Sequence, residues 1–474
     1  MSLGLFGSLN LAARSLQVQQ QGIEVAGHNL ANVNNPAYAR QRVAIHSAGA
    51  IQTNDGFIQG VGADIAGITQ VRNALLDAQM VSENSVTGSL EAQQQALQYA
   101  QADLGQQIDQ RASGAEGAAA ASGIGQHGIG DAMNDLFNSF QALSTQPSST
   151  TQRDIVLTKA AQLAERFQAT DDRLAALNTS LNTSVETEVS GANALLSEIA
   201  QLNRKIVRAE MGSDGVANDL RDARQAKLEE LGKIVKFDTS EGAAGSVNIS
   251  IGGVLMVDST EVAEALETYD VSGKTMVRAA SSDAPLNITG GRIHGFIDAR
   301  DGAVQGLRDN LSSLASTLIT QVNLLHQSGF GKDGSTGLAF FSGTNASDIS
   351  VNSALTADKI AASNTVGEVG NNKIILALAQ LKEAPQSALS SQTLSQNYSR
   401  VVAKLGSDLD LVNQGVSDQA AVSNMVSTQR DSISGVSMDE EMTDVLKFQR
   451  AYQASAKIVS VIDEMLLSVI NMRS

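Results

Sequence analysis

The chain has 474 residues, a formal charge of −17, no cysteine, no tryptophan and four prolines. That charge argues against gripping a nucleic-acid backbone, which requires a basic face, and the missing cysteine removes thiolate metal sites, cysteine nucleophiles and disulfides. With aromatic residues at 3% a wide core is hard to fill, so the abundant alanine, leucine, glutamine and serine point to long helices with thin seams.

The first helix is predicted over residues 1–33. Leu9, Leu16, Ile23 and Leu30 recur every seven residues, and Ala12, Gln19, Ala26 and Val33 follow three positions later. This is the heptad pattern that makes helices wrap around each other. Asn32-Val33-Asn34-Asn35-Pro36 ends it, because proline bars its predecessor from helical backbone and asparagine favours turns. An extended stretch follows at Tyr38–Val43. Residues 49–67 read as short strands and turns, with a hairpin around Asn54-Asp55-Gly56.

From Arg72 to about Gln110 the pattern is helical. Residues 112–130 are rich in glycine and alanine and read as a flexible loop. A short helix is predicted over Asp131–Leu143. The longest helical stretch runs from Arg153 to Met211, with Gly191 marking a kink or a break. Another helix covers Val216–Val235. The composition shifts at Phe237. Alternation over Val247–Ile251, then Val254–Val257, Val262–Tyr269 and Thr275–Arg278, predicts strands turned at Gly252-Gly253 and Ser272-Gly273. Helix returns near Arg300, with Leu307, Leu311, Leu314, Leu318, Val322 and Leu325 on one stripe. A glycine-rich loop at 329–343 and helices near 373–382 and 398–434 follow.

The last helix is predicted to open on a capping box from Ser437 to Glu440, with Asp439, Glu440, Glu441 and Asp444 at its positive end. Val445, Phe448, Tyr452, Ser455, Val459, Ile462, Leu466 and Val469 then step by threes and fours. This seam matches the N-terminal one in period, so pairing the two ends hides both. Among residues 1–42 only Arg14, Glu24, Arg40 and Arg42 are charged, fewer than a surface helix usually carries. Thin seams and sparse charge suggest ends that are loose alone and completed by neighbouring copies.

The expected fold is mainly α with a small β insertion. The N- and C-terminal helices, residues 1–48 and 433–474, form a paired coiled-coil domain. A long helical-bundle body spans 49–236 and 299–432, a β-rich insertion spans 237–298, and short β-hairpins occur elsewhere. No catalytic, cofactor or metal site is expected. Ser272-Gly273-Lys274-Thr275 lacks the first glycine of a phosphate loop, since Thr268 stands there. Gly331-Lys332-Asp333-Gly334 lacks the spaced acids of a calcium loop, and five scattered histidines have no metal-ligand spacing. Asp463-Glu464 interrupts the apolar end, so no membrane insertion is expected, and the start lacks the basic opening of a cleaved signal.

The stretch from Asn29 through Asn32, Pro36 and Tyr38 to Arg40 resembles the N-terminal signature of bacterial flagellar axial proteins, the family of rod, hook and hook-associated subunits. Asn35 and Ala37 stand where threonine and glycine usually flank the proline. Gln449–Lys457 resembles the matching C-terminal signature. The long helical middle, together with residues 290–301 and 435–441, resembles hook-associated members rather than the β-rich hook subunits.

The resemblance implies a structural, non-enzymatic subunit at the junction of hook and filament. It implies export in unfolded form through the type III apparatus, without a cleaved signal, to an extracellular place on the flagellum. The implied partners are further copies of itself in a ring of the axial tube, the hook protein, a second junction protein, and an export chaperone on the C-terminal helix. The assembly interface would be built from Leu9, Leu16, Ile23, Leu30, Val445, Phe448, Tyr452, Val459, Ile462, Leu466 and Val469. A hook or distal-rod subunit is one alternative. A secreted surface-binding protein or wall hydrolase on an axial scaffold is another, and a hydrolase would need a carboxylate pair in a cleft.

Overall fold

The computed structural model describes residues 4–52, 58–104, 128–211 and 216–472. The expected turn at Asn54-Asp55-Gly56 and all but the last three residues of the 112–130 loop lie outside the described residues.

Helix α1 (Leu5–Ala31) stops where Asn32 folds its side-chain amide back onto the carbonyl of His28, 3.0 Å away. The Asn35 side chain then accepts the N–H of Ala37 at 3.2 Å, the short-range bond that lets asparagine turn a chain. Strand β1 (Gln41–Ser47) leaves the corner. Strands β2 (Ala50–Gln52) and β3 (Ile58–Gly60) pair with each other, and β4 (Ala63–Gln70) returns antiparallel to β1. The result is a long two-stranded ribbon.

Helix α2 (Ala74–Asp103) is capped by Asn73, whose side chain accepts from the N–H groups of Leu75 and Leu76. Helix α3 (Ile129–Thr145) precedes α4 (Thr150–Glu210), a single run of 61 residues capped by Ser149. At ~1.5 Å per residue it is about 90 Å long. It passes through Gly191 as one helix, so the expected alternative of a break between two helices does not hold. Buried Val185, Val189, Ala192 and Leu196 hold the helix on both sides of the glycine, and Ile234 packs beside it. Helix α5 (Asn218–Ile234) folds back along α4.

The β insertion contains an antiparallel sheet in the order β5 (Asp238–Glu241), β6 (Val247–Ile251), β7 (Val254–Asp258) and β8 (Glu261–Val262), and a hairpin of β9 (Leu266–Val271) and β10 (Lys274–Ala279). Gly252-Gly253 and Ser272-Gly273 all take positive φ, as two-residue hairpin turns of this hand require. The single strand expected over Val262–Tyr269 is two strands. Glu264 divides them by turning inward to accept the backbone N–H and the hydroxyl of Ser281.

Three asparagines of α4 dock this insertion. Asn182 donates to Gly273 O and accepts from Thr275 N–H; Asn193 donates to and accepts from Leu266; Asn203 donates to Val247 O and Ser259 O and accepts from Val247 N–H. Their spacing of ten and eleven residues, about three helical turns, keeps them on one face.

Helix resumes at Gly291, not near Arg300. Gly290-Gly291 starts α6 (Gly291–Asp298): Gly291 has φ +78°, and a Cβ there would sit 2.3 Å from the Ile234 carbonyl oxygen. A π-helical turn (Ala299–Val304) joins α6 to α7 (Gln305–Gln327). Arg300 is buried there, bonded to Asn182, Asp301 and the Thr275 carbonyl. Strands β11 (Phe341–Ser342) and β12 (Ser350–Val351) and helix α8 (Lys373–Gln380) follow. Helix α9 (Leu394–Ser434) starts four residues before the expected Tyr398 because Thr393 and Gln396 form a full capping box. Helix α10 (Met438–Asn471) closes the chain.

One continuous apolar core extends from Ala92 to Leu409 through α2–α9 and the insertion, and contains no residue of α1 or α10. Among the described residues helix α10 makes its sustained contacts with α1, and α1 adds the ribbon.

Candidate functional site: the paired chain ends

Helices α1 and α10 run antiparallel. Asn29 meets Glu441, Gly22 meets Phe448 and Ser15 meets Ser455, so each step of seven along α1 matches a step of seven back along α10. The contact line on α1 is made of small residues. Ala12, Gly22 and Ala26 are buried, and the Ser15 and Ser455 hydroxyls lie 2.9 Å apart. A Cβ on Gly22 would lie 2.7–2.8 Å from three carbons of the Phe448 ring. The ring thus sits in the hole that the glycine leaves, a knob in a hole with no side chain at its floor.

Leu9, Leu16, Ile23 and Leu30 are half-buried beside this line. The offset series, Ala12 and Ala26, lies nearer α10. Val18 and Val25 are buried on the face toward the ribbon, where Leu11 abuts Gly62 and Arg14 approaches Asp64. On α10, Ser455 and Ile462 are buried; Val445, Phe448, Val459 and Leu466 are half-buried; Tyr452 and Val469 are exposed, at 39% and 55%. Small residues bring the two helix axes close and leave large side chains at the flanks.

The corner at the base of the pair is polar and buried. Asn29 donates to Gln41 O and Glu441 Oε2, both at 2.9 Å, and accepts from Gln41 N–H at 2.9 Å and from the Tyr38 hydroxyl at 2.7 Å. Burial, then Asp219, Asp222 and Glu441, push the Tyr38 hydroxyl far up, so it stays a donor. The Arg40 guanidinium reaches three carboxylates: Glu440 at 2.5 Å, Glu441 at 2.6 Å and Asp444 at 3.6 Å. Burial alone would lower the Arg40 pKa; Glu440 and Glu441 reverse this and raise it. The expected capping box at Ser437 is absent. Ser437 is the N-cap of α10 but makes no side-chain capping bond, and Glu440 is drawn to Arg40 instead. A charge-assisted bond outcompetes a neutral cap.

Around this corner stand residues that local sequence did not single out. Asp222 of α5 accepts from Ala39 N–H (3.4 Å), the Gln70 amide (2.7 Å) and Arg72 (2.6 Å). Burial raises its pKa, partly offset by Arg72. Arg430 of α9 donates to Pro36 O and to Glu229. In sequence, Asp219 and Asp222 look like ordinary acids at a helix start, and nothing in their spacing names their distant donors. Among the described residues no group of histidine, aspartate and glutamate could hold a metal ion, and no helix is long and apolar enough to cross a membrane.

The family described as Flagellar hook-associated protein FlgK helical domain matches residues 119–341, and that described as Flagellar basal body rod FlgEFG protein C-terminal matches residues 427–472. The chain's middle and its end are therefore each similar to bacterial flagellar axial proteins. Flagellar hook-associated protein 1 of Bacillus subtilis is 27% identical over 98% of each chain, and that of Escherichia coli is 22% identical over 98% of this chain and 99% of its own. The flagellar hook junction protein FlgK from Burkholderia pseudomallei shares the fold, with a TM-score of 0.65 at 13% identity over 75% of this chain and 100% of its own. Along its full length the chain is thus similar to flagellar hook-associated protein 1 of other bacteria.

Proposed function

We propose that this chain is a structural subunit joining hook to filament and that it assembles through its paired ends. One observation carries the reading. The pair closes through small residues, so Leu9, Leu16, Ile23, Leu30, Val445, Val459 and Leu466 stay half-covered while Tyr452 and Val469 face outward. A helix pair with apolar flanks outside the body's core is stabilised by further copies covering those flanks. In this reading α1, the ribbon and α10 are the axial domain, so residues 49–70 go with the ends rather than with the body as expected; 71–236 with 291–434 is the outer helical body, and 237–290 is the β-rich insertion. The signature corner from Asn29 to Arg40 fixes how the axial pair leaves the body.

The partners would be other copies in a ring, the hook below and a second junction protein above. Export would keep the chain unfolded, with a chaperone covering the exposed apolar side of α10, and would deliver it outside the cell. The role is structural, without catalysis. Deleting the gene and imaging the cells tests the reading. Bare hooks, with filament protein lost to the medium, are expected; missing hooks would assign the chain to rod or hook instead. A form trimmed of both ends that still took its place at the junction would overturn the assembly mechanism.

A further inference from the structure

The joint between the chain ends and the body has an unusual build. The chain crosses it only twice, at residues 70–74 and 434–437. On one side lie α1, the ribbon and α10; on the other, the body with its continuous core, to which the first side contributes no residue. Buried Tyr38 and Ala39 lie at the joint, and a set of hydrogen bonds spans it: Asn218 donates to the Ile68 carbonyl, the Gln70 amide donates to the Asn218 carbonyl, and the Gln41 amide donates to Asp219. Asp222 accepts from Ala39, Gln70 and Arg72; Arg430 grips the Pro36 carbonyl; Arg40 N–H bonds the Ser434 carbonyl at 2.9 Å. Gly435 makes the α9 exit tight, since a Cβ there would lie 2.3 Å from the Asp431 carbonyl oxygen.

Apolar interfaces lock by area and shape, and moving one exposes surface. A joint held by directional bonds can exchange them for water, bond by bond, without opening either side. We propose that this corner is a wrist: α1, the ribbon and α10 form one rigid unit that swings on the body at residues 70–74 and 434–437, and Asp222 is the latch that fixes its angle. Asp222 suits the role because its one carboxylate, 5% exposed, collects donors from both the corner and the end of β4. The inference rests on the joint's geometry and stands whether or not the hook–filament reading does.

The absence of cysteine permits clean spin labelling. One label pair, at Gln453 of α10 and Ala421 of α9, spans the joint; a second, at Gln17 and Gln453, reports on the unit itself. All three positions are exposed. In the full-length chain both distances should be narrow. With Asp222→Ala the distance across the joint should broaden about twofold or more, while the Gln17–Gln453 distance and the body's melting temperature hold. An unchanged joint distance would show that Asp222 does not set the angle. Loss of the second distance, or of the body's melting transition, would show the node to be part of the folded core and would equally overturn the proposal.

Discussion

Replacing Gly22 by valine puts the seam itself to the test. The first added carbon would lie 2.7–2.8 Å from three atoms of the Phe448 ring, where ordinary contact is 3.4–4 Å. The ring is rigid and the facing helix cannot yield without releasing the Ser15–Ser455 pair seven residues away. Overpacking of this kind costs ~1–3 kcal/mol, and valine recovers only a few tenths over glycine in helix propensity. A net loss of about 2 kcal/mol lowers the closed pair roughly thirtyfold. The assay uses Ser15→Cys with Ser455→Cys in a chain that has no other thiol, and disulfide yield reports closure. Gly22→Val should cut the yield and abolish filament retention in cells that depend on this chain. Adding Phe448→Ala should restore much of both, because the added methyls then have room. Native yield in Gly22→Val alone would refute the argument that ring and glycine set the spacing.

Arg40→Ala leaves Glu441, 2% exposed, without its cation, a loss of ~3–5 kcal/mol at the base of the pair; protease sensitivity of α10 should rise sharply, and Arg40→Lys should rescue only in part. Asn203→Leu keeps the branched shape but strips partners from Val247, Ser259 and Arg224. It should cost ~2–4 kcal/mol in urea unfolding, whereas Asn182→Leu, at the more open end of the row, should cost less. His326 is buried, its Nδ1 bonded to the Leu338 carbonyl and its Nε2 accepting the Ala361 N–H. Burial, aided by nearby Arg153, holds its pKa below the ordinary value. The unfolded chain therefore binds a proton that the fold refuses. Stability is full above about pH 6.5 and falls as pH drops below it. The urea midpoint should fall between pH 7.5 and 5.5, and His326→Gln should flatten that fall; an equally steep fall in the variant would refute the assignment.

Local signals in the sequence carried far. The heptads of α1, the stop at Pro36, the glycine pairs of the insertion's hairpins and the stepping of α10 each act through neighbours a few residues away, so they are visible without a structure. What escaped depends on distant partners. Gly191 looks like a break until the packing on both sides of it is known. Helix is expected near Arg300, but it begins at Gly291, whose positive φ and nearness to the Ile234 backbone only glycine accommodates. Ser437 and Glu440 spell a capping box, but Arg40, 400 residues away, takes the glutamate. The leucine heptad was the conspicuous series on α1, yet the smaller residues lie closest to α10, because near approach favours the absence of side chain. Asp222 and Arg430 gave no signal at all.

The row of asparagines on α4 has a consequence for how this family can vary. Each amide grips the main chain of the insertion, which every amino acid supplies alike. Mutation can rewrite the outward residues of those strands almost freely without loosening their mooring. The mast stays fixed while its pennant changes, so the outward residues of the strands and the docking to α4 can vary independently of each other.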